Sequence, residues 1–185
     1  MFLISSEDSI LMKLQKIMNS NLKHKEKVGT IVNEIKKSNL LFDELVELFR
    51  SGNDVVKGNC AEVMKFISQE NPEFFLPYID ELIEYINYKA PRVKWGIPES
   101  IGYLAENYPD KVGKAAPKLL ENTNHKSTVV RWCAAFGLVG IAKHNKDLRD
   151  ELIEQFNQII KEEQNNGVKN VYIKALKQIQ KKLNS

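Results

Sequence analysis

The stretch TVVRWCAAFGLVGIAKH, Thr128–His144, is apolar on nearly every side, yet carries Arg131 and Trp132 near its start. In a chain that is 28% charged, a helix this apolar is one surrounded by protein. Its neighbours in sequence explain it. VRWCAAFGLVGIAK from Val130 aligns with VKWGIPESIGYLAE from Val93 and with VKGNCAEVMKFISQ from Val56, at an offset of 37 each time. Valine matches valine, Lys57 and Lys94 match Arg131, and Ile67 and Leu104 match Ile141. A fourth copy, VKNVYIKALKQIQK from Val168, follows at an offset of 38 with Lys169 at the basic position.

Between turn signals such as Asn71-Pro72, Ala90-Pro91 and Tyr108-Pro109, apolar residues recur at three- and four-residue spacings. Val56, Cys60, Val63, Met64 and Ile67 form one stripe; Val168, Tyr172, Ala175, Leu176, Ile179 and Leu183 form another. That period is helical, and no segment sustains the two-residue alternation of a strand. Each aligned copy is preceded by a second helical stretch: LLFDELVELF, PEFFLPYIDELIEYI, PDKVGKAAPKLLEN and DLRDELIEQFNQII. The unit is therefore helix A, turn, helix B, turn. Residues 1–37, with stripes Ile10/Leu14/Ile17 and Val28/Ile31/Val32/Ile35, read as a degenerate first pair. Repeats at 38–70, 71–107, 108–144 and 145–185 complete one domain of about ten helices. In the last B helix, the places of Trp132, Phe136 and Val139 are taken by Asn170, Lys174 and Lys177, the polar outer surface of a terminal repeat.

On these residues the chain resembles the HEAT-repeat family over roughly 38–184. The resemblance rests on the period, on the Val-Lys/Arg step that opens each B helix, and on a proline inside helix A (Pro77, Pro117). It implies an all-α, right-handed α-α superhelix with the B helices on the concave side. HEAT repeats often pair the basic residue with an Asp ahead of helix B; here that place holds Ser51, Tyr88 and His125, which leaves the four bases without an obvious partner.

At about 100° per residue, the B-helix faces opposite the core stripe carry Glu62 and Lys65, then Trp95 and Glu99, then Trp132, Phe136 and Val139, then Lys174 and Lys177. If these faces line a groove, they give an aromatic centre with charged ends, a pattern suited to a protein or peptide partner. The alternative is that Trp95 and Trp132 pack between repeats. Lys57, Lys94, Arg131 and Lys169 form a second row, which either tracks a phosphate backbone or caps neighbouring helices. More remotely, Trp95 and Glu99 beside Arg131 and Trp132 are similar to the cleft of HEAT-like alkylpurine DNA glycosylases. That similarity implies DNA binding, with Glu99 as the candidate catalytic carboxylate.

The expected function is a non-catalytic scaffold for a partner protein or peptide; a DNA-binding protein or repair glycosylase is the alternative, and a homodimer interface is a third use of the aromatic patch. Net charge is +3, too small to call for nucleic acid. No His/Cys/Asp/Glu cluster has metal spacing and no glycine loop suits a phosphate, so neither metal nor cofactor is expected. Cys60 and Cys133 lie in apolar runs without metal or redox spacing, which fits a reducing cytoplasm. The start MFLISSED lacks a basic region and a signal-length apolar run, and no stretch reaches membrane-span length.

Overall fold

A computed structural model describes residues 13–183. Ile10 of the first stripe, the MFLISSED start and the last two residues of the fourth repeat lie outside the described residues. Eleven α-helices and no strand occur among those described. They are α1 (Lys13–Met18), α2 (His24–Lys37), α3 (Leu40–Ser51), α4 (Asp54–Glu70), α5 (Ile79–Glu84), α6 (Pro91–Leu104), α7 (Pro109–Gly113), α8 (Ala116–Glu121), α9 (Thr128–His144), α10 (Lys146–Glu162) and α11 (Asn166–Leu183).

Local chemistry sets these boundaries. The Asn53 carboxamide accepts from the Val55 and Val56 amides at 3.0 Å and starts α4. Pro91 and Pro109 open α6 and α7, where a missing N–H costs nothing. Asn145 caps α10 by accepting from the Leu148 amide at 3.0 Å, and its amide donates to the Pro109 carbonyl at 3.1 Å, tying one helix pair to the next. The stretches expected as single helices at 72–86 and 109–122 are each divided. A short 3-10 turn, Pro72–Phe75, precedes α5, and α7 is separated from α8. Pro77 and Pro117 account for this, because each lacks the N–H that a continuous helix would use. The division at 109–122, which yields two α-helices, raises the count from ten to eleven.

Helices α4, α6, α9 and α11 stack side by side as one layer, and the helices preceding each form the other. The first layer is packed through small residues. A β-carbon on Gly96 of α6 would sit 2.5 Å from the Ala61 carbonyl oxygen of α4. One on Gly140 of α9 would sit 2.5 Å from the Gly102 carbonyl oxygen of α6. No described residue has positive φ, so these glycines answer a need for space and not for backbone freedom. The other layer meets through long side chains: Arg50 with Glu81 at 2.8 Å, Lys114 with Asp80 at 2.8 Å, and Asn87 with Glu121 at 2.6 Å. A stack whose layers differ in spacing curves toward the closer one. The B helices therefore line the inner side.

The core runs the length of the array between the layers, from Leu14 and Ile31 through Phe49, Met64, Ile97 and Leu138 to Phe156 and Tyr172, all at most 2% exposed. Helix α9 is enclosed on several sides as its composition demanded, with Val130, Cys133, Ala134, Leu138, Ile141 and Ala142 buried. Val139, expected on the groove face, is buried too, at 7% exposure, because α9 is rotated to bring Gly140 against α6.

Candidate inner-face binding site

The aromatic centre of the inner face is a stacked group. Trp132 is 37% exposed, and its ring lies 5.7 Å from that of Phe136 at an interplanar angle of 22°. Phe136 in turn meets Tyr103 of α6 at 4.8 Å and 56°. Gly102 makes room, since a β-carbon there would sit 2.6 Å from the Phe136 ring. Trp132 and Phe136 share a helical face because they are four residues apart. Tyr103 was not expected here: it lies one residue off the face read in sequence and reaches Phe136 only because α6 and α9 approach so closely.

Trp95 is half-buried, and its indole N–H is enclosed without a hydrogen-bond partner among the described residues. Beside it opens a pocket of about 290 Å³ lined by His24, Glu62, Lys65, Arg92, Trp95 and Glu99, among others. Arg92 donates to the His24 Nδ1 at 2.7 Å and to the Asn59 carboxamide oxygen at 3.1 Å. That leaves His24 Nε2 carrying the proton, which it donates to Glu62 at 2.7 Å. Glu99 stands 4.0 Å from the Lys65 ammonium and accepts a weak bond from the Cys133 thiol at 3.7 Å. Burial pushes the Glu99 carboxyl above the usual range, and Lys65 and the Cys133 thiol only partly offset it. His24, Asn59 and Arg92 were invisible as site residues in the sequence, because they come from three different helices with no shared motif.

The four aligned bases do not act alike. The Lys57 ammonium is buried and donates to the carbonyls of Phe49 and Arg50, capping the end of α3 against the rings of Phe49, Tyr85 and Tyr88. Arg131 has a partner after all. It forks onto Glu163 at 2.7 and 3.1 Å and donates to the His125 carbonyl at 2.9 Å. Glu163 lies at the far end of α10, so sequence spacing gave no hint of the pair. Its carboxyl is held below the usual range, chiefly by the Arg131 hydrogen bonds. Lys94 and Lys169 are half-buried and form no ion pair among the described residues. The row of bases is thus no continuous exposed track. Glu99 and Arg131, which the catalytic alternative needs in one cleft, are engaged with different partners.

Among the described residues no group of three or more His, Cys, Asp or Glu is placed to hold a metal ion. No described helix is long and apolar enough to cross a membrane.

No protein-family model matches the chain, and no curated protein matches it in sequence. Solved structures do match in shape. A designed armadillo repeat protein in complex with the peptide (KR)4 is similar at a TM-score of 0.70 and 16% identity, over 90% of this chain and 80% of that one. An engineered protein solved as a structural-genomics target matches at 0.71 and 17% identity, over 95% and 81%. A computationally designed armadillo repeat protein for modular peptide recognition matches at 0.65 and 18% identity, over 92% and 75%. The fold is that of armadillo-type helical-repeat solenoids. These neighbours lend no support to the glycosylase resemblance, to nucleic-acid binding or to a homodimer.

Proposed function

We propose that this protein is a non-catalytic scaffold of four helix-pair repeats, 38–70, 71–107, 108–144 and 145–185, on an N-terminal pair, and that it works in the cytoplasm. Its inner face holds an extended segment of a partner protein. Trp132 and Phe136 are the anchors, Trp95 and Glu99 form the adjoining pocket, and Lys94 and Lys169 contribute charge at the margin. Lys57 and Arg131 serve by fixing the helices that carry this face.

One observation carries this function: an aromatic stack, with Trp132 exposed over half-buried Phe136, sits on the inner layer beside a pocket of mixed charge. A flat aromatic with little rotamer entropy to lose is an efficient anchor, and a stacked array presents it without a folding cost on binding. Two structural neighbours are described as peptide binders, which fits the same use of the fold.

The test uses the chain's own reporters, since Trp95 and Trp132 are its only tryptophans and both lie here. Linear peptides selected from a random display library should shift the intrinsic fluorescence. Trp132→Ala/Phe136→Ala should weaken them at least about tenfold, or about 1.4 kcal/mol. Selected peptides that bind this variant undiminished, with its helical circular dichroism intact, refute the proposal.

A further inference from the structure

The C-terminal pole of the array is chemically unlike the rest of the inner layer. Helices α9 and α11 hold Arg131, Lys143, Lys169, Lys174, Lys177, Lys181 and Lys182 and contain no Asp or Glu. Lys174, Lys177 and Lys181 are exposed and fall on one stripe of α11, opposite its buried Tyr172, Ala175 and Ile179. Lys181, at the end of that stripe, also lines a cavity of about 800 Å³ between the end of α9, the start of α10 and the last turns of α11. Ile179 and Leu183 give that cavity an apolar floor, Lys143, Lys146 and Lys181 stand at its rim, and no carboxylate of the described residues lines it. Arg149, also at the cavity, is committed to capping α9 through the Ala142 and Lys143 carbonyls at 3.0 and 3.1 Å.

Like charges gathered around a partly enclosed space repel one another, and an incoming anion relieves that repulsion. Lys143 shows the strain: burial, then the charge of Lys182, hold its ammonium below the usual lysine range. Glu106 is felt at His144 but does not line the cavity. Nucleic acid would meet the charge but leave the apolar floor uncovered, and the guanidiniums that best fork a phosphate, Arg131 and Arg149, are already taken. An acidic peptide with an aliphatic side chain satisfies both features.

We infer that this pole receives an acidic, leucine-bearing stretch of polypeptide, its carboxylates on Lys143, Lys146 and Lys181 and one leucine over Ile179 and Leu183. The inference rests on the scaffold function proposed above. It gives the bound segment a polarity: apolar or aromatic residues at Trp132 and Phe136, acidic ones toward α11.

The probe is a short fluorescein-labelled peptide of Asp and Glu bearing leucines, followed by anisotropy at near-physiological salt against the full chain. Saturable binding is expected, weakened about tenfold or more by Lys146→Glu/Lys181→Glu and several-fold by replacing the leucines with serine. Lys146→Gln/Lys181→Gln gives an intermediate loss, and because both side chains are exposed the fold survives either pair. Equal binding of a leucine-free acidic peptide, or tighter binding of a DNA duplex, overturns the inference in favour of a general anion surface. No binding by a folded chain overturns it outright. Trp132→Ala/Phe136→Ala leaves this short probe unaffected, so failure here and failure of the aromatic anchor are read separately.

Discussion

Replacing Gly140 by alanine sets two energies against each other. An alanine in a helix interior is favoured over glycine by about 1 kcal/mol. Against this, the new β-carbon would lie 2.5 Å from the Gly102 carbonyl oxygen and 2.7 Å from the Gly102 α-carbon. An ordinary contact begins near 3.4 Å, so α6 and α9 must separate by up to about 0.9 Å. The obstructing atoms are backbone and cannot rotate aside. Overpacking of this kind costs about 1–3 kcal/mol, and with no flexible side chain to yield the upper end applies, roughly 3 kcal/mol. The net loss is about 2 kcal/mol, which in a chain of this size lowers Tm by roughly 4–8 °C. Far-UV circular dichroism during heating or urea titration measures it. Gly29→Ala is the control, because Gly29 lies inside α2 with nothing within 4 Å of its would-be β-carbon. There propensity acts alone, and the variant gains up to about 1 kcal/mol. If Gly140→Ala is as stable as Gly29→Ala, the close approach of the B helices, and the curvature derived from it, are wrong.

Three further outcomes are expected. Arg131→Ala strands the 3% exposed Glu163 side chain and should cost about 2 kcal/mol, with Arg131→Lys recovering only part because it cannot fork. The depressed Glu163 pKa means its stabilisation is present above the unfolded carboxylate pKa and is lost as pH falls through the folded one; the acid slope of Tm should therefore flatten in Arg131→Ala, and an unchanged slope refutes the pair. Glu99 is the reverse case. Its raised pKa makes the folded state lose stability as pH rises from the unfolded value through the folded one, so Glu99→Gln should raise Tm at pH 7 and leave it nearly unchanged at pH 4; a lower Tm at pH 7 counts against the burial argument. Finally, burial pushes the Cys60 thiol up to about 12 and raises Cys133 as well, so neither should react with a disulfide reagent at pH 8 until the chain is unfolded. Rapid native-state labelling would show a more open array.

The sequence by itself determined the architecture. A period of 37 residues with a fixed Val-Lys/Arg step forces equivalent helices to stack, and a stack encloses its middle members; hence the apolar α9 and the polar outer face of α11 were both legible. Placing Trp95, Glu99, Trp132 and Phe136 on one side was legible too, because a face depends only on helical spacing. What lay beyond was every feature set by distance between helices. Tyr103 joins the aromatic stack, and Val139 leaves it, because Gly102 and Gly140 let two backbones meet. Arg131 finds Glu163, and Arg92 finds His24 and Asn59, across 32, 68 and 33 residues of chain. Periodicity gives each helix its faces but not the rotation and separation at which two helices pack, and those are set by the volumes of side chains brought together only when the array is formed.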